Sequence, residues 1–424
     1  MTATTNEKIK VLYYGDGPQV ATGFATVTRN ILMPMYETGR YDITVLGINY
    51  HGEPHEFPFP TWPVNNNPER DPYGRKFIQE RIMNIDFDIL FMVQDSFILE
   101  FIKDMLPQLK MAGKKFKSVV YFPIDGVPKP SWVEAMAEAD YPVTYTSYGK
   151  KECMKAFPPI AEKLSVIPHG VNVDDYYPIS YGEDIDFRNN FFGPLASKFI
   201  VSMINRNQQR KDVPRAMVAF KKFKERCPES MLYLHMAIQD MGWNLAEVAK
   251  SIGLKMNSDI VFPSNFSPNK GFPVNILNKI YNCSDVVISS TTGEGWGLAQ
   301  VEAMATKTPI ISPDNTSCSE IVGEDRGLLV RSGHDIEHFT VLPNDNEVLR
   351  PIISIQDMTD KLELLYNDEV LRMRLGETGH DYIHSTWLWD KHIVPQWMDI
   401  IDKAVESLSS ESEDEYCFSG AMEV

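Results

Sequence analysis

The chain has 424 residues, too many for one ordinary core, so two domains of usual size with appendages are expected. Hydrophobic residues at 43% and charged residues at 23% describe a soluble globular protein, and no uninterrupted apolar run is long enough to cross a bilayer. A net charge of −17 opposes long-range attraction to nucleic acid or anionic membranes, without excluding a local basic cleft.

Met1 to Lys8 lacks the apolar core of a signal peptide, and Cys153, Cys227, Cys283, Cys318 and Cys417 form neither a paired framework nor a metal-type spacing. A reducing cytoplasm is the simpler home. The first half alternates strands and helices. A strand from Ile9 to Tyr14 leads through Gly15-Asp16-Gly17-Pro18 into a helix from about Gly23 to Met35, the opening of a doubly wound sheet. Gly15, Gly17 and Gly23 are spaced too widely for a G-x-G-x-x-G fingerprint, so a nicotinamide reading is weak. Further strands are expected at Ile43 to Ile48, Ile89 to Val93, Ser118 to Phe122, Val143 to Tyr145 and Leu164 to Ile167.

Within this half, His51 and His55 are four apart, but Pro54 prevents the helix that would put both on one face, and no metal is expected there. Asp125 follows the strand Ser118 to Phe122, and Asp95 follows the strand ending at Val93. Both therefore stand at the carboxyl edge of a parallel sheet, where ligands of such sheets bind, although a plain capping role is equally compatible. The clusters Lys114-Lys115-Phe116-Lys117 and Lys221-Lys222-Phe223-Lys224 read as solvated edges.

The halves divide near Val166 to Asn172. The acidic, aromatic stretch Ser180 to Phe192 reads as linker or early second domain, and its Asp184-Ile185-Asp186 as surface charge rather than a metal motif. A second series opens with the strand Phe199 to Ile204, followed by a loop that holds Arg206 and Lys211 before a helix from Pro214 to Arg226. Fixed cations at a strand–helix junction suit a departing diphosphate, whose charge grows as its bond breaks; a basic helix start is the alternative. Strands follow at Met231 to His235 and Ile260 to Pro263, with His235 a satisfied sheet histidine.

The centre of the second half is Asp285 to Ala305. A short β-branched run ends at Ser289, Gly293, Gly295 and Gly297 alternate with Glu294 and Trp296, and strong helix formers begin at Leu298. The glycines let the backbone turn sharply beside a ligand, and the free amides near Gly297 and Leu298 favour a diphosphate. Glu302 lies about two helical turns beyond Glu294. It suits a vicinal diol such as a ribose, while Glu294 suits sugar hydroxyls beside a reacting carbon; acidic residues near a helix start for its dipole are the alternative. Strands at Pro309 to Ser312 and Leu328 to Val330 close the second sheet, and the chain is helical after Ile355.

Glu294 and Glu302, with seven residues between them and Gly-Trp-Gly-Leu enclosed, resemble the E-x7-E signature of retaining glycosyltransferases of family four. Arg206 and Lys211 resemble that family's phosphate-binding pair and occur in the expected order. The resemblance implies an α/β architecture, the GT-B fold, with two Rossmann-like doubly wound domains facing an interdomain cleft. It places an acceptor-side domain at 1–170, a nucleotide-sugar domain at 171–386, a helix returning to the first domain at 387–408, and leaves a flexible acidic tail at 409–424. It implies catalytic roles for Glu294, Arg206, Lys211 and Asp125, and donor contacts from Gly23, Gly295, Trp296, Gly297, Leu298 and Glu302. Asp95 and Asp125 are the acceptor-side candidates, Asp125 in a place where many such enzymes carry a histidine that this chain lacks. Pro263 to Phe266 falls in the family's nucleobase-contacting region. The implied activity is retaining transfer of a hexosyl or pentosyl group from a nucleotide-diphosphate sugar, with no metal or other cofactor, to a glycan, lipid, protein or modified nucleic-acid base. A related epimerase or phosphorylase, or a non-catalytic sugar-nucleotide-binding protein, would share these features.

Overall fold

The computed structural model describes residues 8–65, 70–264, 266 and 271–420, the side chains of 411–420 excepted. The chain divides into two units, one of residues 1–124, 128–168 and 390–424, the other of 125–127 and 169–389.

The first unit contains β1 (Ile9–Asp16), α1 (Gly23–Glu37), β2 (Tyr41–Ile48), β3 (Thr61–Pro63), α2 (Arg75–Arg81), β4 (Ile89–Val93), α3 (Ile102–Met111), β5 (Lys117–Phe122), α4 (Pro130–Ala137), β6 (Tyr141–Thr144), α5 (Ser147–Ala156) and β7 (Ser165–Val166). Their order in the sheet is β3-β2-β1-β4-β5-β6-β7, and every pair is parallel. β4 and β5 are buried along their whole length, because helices cover both faces of a parallel sheet and leave no polar side to read. α1 starts where it does because the Thr22 hydroxyl accepts from the Ala25 amide at 3.1 Å.

Two expectations fail here for local reasons. Lys117, assigned to a solvated edge, is the buried first residue of β5, while Lys114 donates to the Ile85 carbonyl at 2.6 Å. β3, absent from the sequence reading, is a three-residue edge strand in which Pro63 is tolerated because an edge leaves one side of the ladder unpaired.

The second unit contains α6 (Tyr181–Phe192), β8 (Phe199–Ile204), α7 (Val213–Arg226), β9 (Ser230–His235), α8 (Leu245–Ile252), β10 (Ile260–Val261), α9 (Val274–Asn282), β11 (Val286–Ile288), α10 (Leu298–Ala305), β12 (Ile310–Pro313), α11 (Thr316–Val322), β13 (Leu328–Val330), β14 (Phe339–Val341), β15 (Leu349–Pro351), α12 (Ile355–Asn367) and α13 (Glu369–Thr386). The sheet order is β10-β9-β8-β11-β12-β13, again all parallel, and β14 and β15 form a separate antiparallel ribbon. Its core gathers Val201, Met203, Leu232, Leu234, Val286, Ile288 and Ile311 under Phe220 and Phe223 of α7.

The stretch read as linker or early second domain is the helix α6 of the second unit. Ser180 caps it, and Arg188 fastens it by donating to Asp285 at 2.8 Å and to the Lys198 carbonyl at 2.7 Å.

The last helix, α14 (Val394–Gly420), is grouped with the first unit. Within that unit Trp397 lies with its ring centroid 5.1 Å from that of Phe91 and 4.6 Å from that of Tyr121. α14 runs past Leu408 into the stretch assigned to a mobile tail. Between Pro395 and Gly420 the sequence has neither proline nor glycine to stop a helix, and 421–424 lie outside the described residues. No helix among the described residues is long and apolar enough to cross a membrane.

Candidate active site

The turn between β11 and α10 is held by the turn that follows β8. The Ser290 hydroxyl donates to the carbonyls of Lys211 and Asp212 at 2.9 Å each, and the Thr292 amide donates to the Arg210 carbonyl at 2.8 Å. Gly293 is required by proximity: a Cβ there would stand 2.0 Å from the carbonyl oxygen of Asp125. Gly297 has φ 132°, a conformation that side-chain-bearing residues rarely adopt, and precedes α10 with no side-chain cap. The Gln300 amide donates to the Gly297 carbonyl at 3.0 Å, the two helical amides before it have no carbonyl within the helix to reach, and the dipole adds partial positive charge there.

Glu294 is buried in this turn between two cations. Lys211 Nζ donates to its Oε1, Arg210 Nη1 lies 3.1 Å from its Oε2, and its own amide donates to the Thr316 hydroxyl at 2.9 Å. Burial alone would raise the Glu294 carboxyl, but Lys211 and Arg210 outweigh it and hold it down at about 2. Burial lowers the Lys211 ammonium, and Glu294 opposes that shift. Arg210 also reaches Asp125, with Nε 3.3 Å from Oδ2. Arg350 lies on the far side of Asp125, with Nη1 3.1 Å from Oδ1, and makes a two-point pair with Asp345 at 2.6 and 2.9 Å. Asp345, Arg350, Asp125, Arg210, Glu294 and Lys211 thus form a continuous row of alternating charge. Burial opposes the Asp125 charge, and Arg210 and Arg350 overcome it, keeping the carboxyl below its ordinary range.

Arg206 precedes Lys211 by five residues in the segment between β8 and α7. Its guanidinium pairs with Asp240, Nε and Nη2 each 3.1 Å from a carboxylate oxygen, and its side chain is 39% exposed. The cation that joins Lys211 on Glu294 is Arg210, the neighbour passed over because the family spacing selects Arg206 and Lys211.

Glu302 accepts a hydrogen bond from the fully buried Tyr281 hydroxyl at 2.6 Å. Burial raises the Glu302 carboxyl to about 7, against the hydrogen bonds from Tyr281 and Tyr176 that lower it. Trp296 is buried beneath the turn between the rings of His169 and Trp387, with centroids at 5.7 and 5.0 Å. Leu298 is the first residue of α10, and Gly295 lies between Glu294 and Trp296.

In the first unit, Gly23 is the first residue of α1, next to Thr22, whose hydroxyl donates to the buried Asp16. Asp95 follows β4, and its carbonyl accepts from the amides of Ile98 and Leu99 at 3.0 and 3.1 Å. His235 is buried at the end of β9 with Nδ1 2.8 Å from the Tyr233 hydroxyl, as expected of a satisfied sheet histidine. The rings of Phe266 and Phe272 lie 5.2 and 4.8 Å from it, and Asn265 of the expected nucleobase region lies outside the described residues. Sequence reasoning missed Arg210, Arg350, Asp345, Asp240 and Tyr281. A basic loop signals only the first of these, since each of the others becomes a neighbour through the fold.

Two units, each built on a parallel sheet, are the architecture of the GT-B fold. Residues 186–342, all in the second unit, match the family described as Glycosyl transferases group 1. The α-maltose-1-phosphate synthase of Mycolicibacterium smegmatis is 22% identical over 282 residues, covering 66% of this chain and 67% of that protein. The D-inositol 3-phosphate glycosyltransferase of Corynebacterium aurimucosum is 24% identical over 250 residues, 58% of this chain and 52% of that protein, so the matches span between half and two thirds of these curated relatives. Among solved structures, sucrose-phosphate synthase from Thermosynechococcus elongatus shares the fold with a TM-score of 0.72 at 16% identity, covering 95% of this chain and all of that one. Anabaena HepE in complex with UDP-glucose gives 0.69 at 16% identity, over 93% of this chain and 100% of that one. The chain is an enzyme of the glycosyltransferase class, and its second unit carries the group 1 domain.

Proposed function

We propose that the protein transfers a glycosyl group from a nucleotide-diphosphate sugar to an acceptor with retention of anomeric configuration, using protein cations rather than a resident metal at the leaving group. The observation that carries this reading is Glu294, held charged by Lys211 and Arg210 immediately before the uncapped start of α10. The likeness to HepE, whose structure holds UDP-glucose, supports a nucleotide sugar as donor.

In this reading Glu302 accepts the ribose hydroxyls, and the diphosphate rests on the first amides of α10. Glu294 holds sugar hydroxyls beside C1, and Asp125 orients the acceptor hydroxyl. The bond from C1 to the phosphate oxygen breaks while the acceptor oxygen bonds to C1 on the same face. The acceptor proton passes to the departing phosphate oxygen. Arg206 and Lys211 neutralise the charge that develops there, as fixed donors do at an oxyanion.

Purified protein is incubated with UDP-, GDP- and ADP-sugars and candidate acceptors, and nucleoside diphosphate release and product configuration are followed by NMR. Acceptor-dependent release with an α-linked product from an α-linked donor is expected; inversion, or release without transfer, overturns the proposal. Arg206→Ala is expected to lower turnover by about 10²–10³, and near-wild-type turnover removes Arg206 from that role.

A further inference from the structure

The segment His334-Asp335-Ile336-Glu337-His338 lies between β13 and β14 and takes no part in the charged row around Glu294. Gly333, at φ 58°, turns the chain into it, and the Asp335 side chain caps a single 3₁₀ turn by accepting from the Glu337 amide at 3.0 Å. That turn brings both imidazoles onto one carboxylate. His338 Nδ1 lies 2.6 Å from Asp335 Oδ1, His334 Nε2 lies 3.2 Å from Oδ2, and the ring centroids are 3.7 Å apart.

We propose that His334, Asp335 and His338 bind one divalent transition ion of the zinc class. One donor atom from each residue lies within 4.8 Å of the other two, the sole such His/Cys/Asp/Glu group among the described residues. Tetrahedral coordination with bonds near 2.1 Å sets neighbouring donors about 3.4 Å apart, so small side-chain rotations close the site. Two neutral imidazoles and a carboxylate suit zinc, nickel or copper better than the hard, oxygen-seeking magnesium and calcium. Side-chain exposures of 30%, 48% and 26% leave an ion free to enter and one coordination position open to water.

The placement gives the ion a structural task. The carbonyl of His338 accepts from the Ile352 amide at 2.9 Å, and Ser332 bridges to Ile353, so the site closes the open end of the β14–β15 ribbon. Arg350 of β15, which holds Asp125 and Asp345, is two residues before Ile352. Binding there would fix the ribbon without entering the sugar-transfer chemistry.

Untagged, EDTA-treated protein is titrated with zinc chloride by calorimetry, and amide exchange at Ile352 is followed with and without the metal. One equivalent is expected to bind and to slow exchange at Ile352. His334→Ala and His338→Ala should each weaken binding more than tenfold, and Asp335→Asn, at an exposed position where the amide oxygen can still accept from the Glu337 amide, should weaken it as well. A variant of the other close histidine pair, His380→Ala/His384→Ala, should bind as the wild type does. The proposal is overturned if no zinc binds below millimolar concentration, if His334→Ala/His338→Ala retains the affinity, or if the His380 and His384 variant loses it.

Discussion

Glu294 and Glu302 are both glutamates of one turn and helix, yet their surroundings drive them in opposite directions. Glu294 lies against two cations and is held at about 2, whereas Glu302 has only hydroxyl donors and is raised to about 7. Removing one partner from a buried pair leaves an uncompensated charge, so Lys211→Met should cost about 3–5 kcal/mol in urea unfolding. Because Arg210 still faces Glu294, the double variant with Glu294→Gln should cost less than the sum of the two single changes. The depressed Glu294 carboxyl contributes stability that is present above the ordinary glutamate value of 4.5 and is lost as pH falls through about 2. Glu302 has the reverse sign: its contribution is complete below 4.5 and is lost as pH rises through about 7. If Glu302 holds the ribose as proposed, only its ionised form accepts two hydroxyls at full strength. Nucleoside diphosphate affinity is therefore expected to rise as pH passes upward through 7, and Glu302→Gln should flatten that profile in a fluorescence titration.

The β14–β15 ribbon enters the charged row through Arg350 of β15 and Asp345 of the connection before it. Arg350 is 3% exposed and divides its guanidinium between Asp345 and Asp125. A lysine retains the charge but not the planar fork, and hydrogen bonds to charged groups contribute about 1.5–3 kcal/mol each. Arg350→Lys should therefore lower kcat by about 10–100-fold while leaving the circular dichroism spectrum unchanged, read in a donor-saturated assay; unaltered kcat removes the ribbon from the site. None of this is visible in the sequence, where Arg350 and Asp125 are 225 residues apart. What is visible is local. Ile89 to Val93, Phe199 to Ile204 and Leu328 to Val330 are apolar runs long enough to fill a buried parallel strand, and they form β4, β8 and β13 residue for residue. The start of α10 at Leu298 is equally legible, because three glycines give way there to helix formers. Arg206 illustrates the limit: its spacing from Lys211 marks it, but the direction of its side chain is set by Asp240, on the loop after β9, which no spacing rule connects to it.

Each unit has its own buried core, and the chain's two ends supply one of them together. Trp397, in the last helix, is fully buried with Phe91 and Tyr121, while Asp402 pairs with Arg40 and lies 3.3 Å from the Tyr41 hydroxyl. A tryptophan-to-alanine change in such a place leaves a cavity and costs about 3–5 kcal/mol. Because this cost falls on contacts of the first unit, Trp397→Ala should speed amide exchange in β1, β4 and β5 under mild denaturant and leave β8 to β13 protected. Trp397→Phe should have a far smaller effect, since the indole Nε1 has no hydrogen-bond partner among the described residues that its loss would break. Nucleoside diphosphate tests the complementary half. A ligand at 100 times its Kd stabilises the form that binds it by about 2.7 kcal/mol, and if the diphosphate rests at the start of α10, the added protection should centre on the 289–298 and 206–212 turns. Protection that instead appears in β1, β4 and β5 alone would place the nucleotide in the first unit and remove Glu302 as its ribose contact.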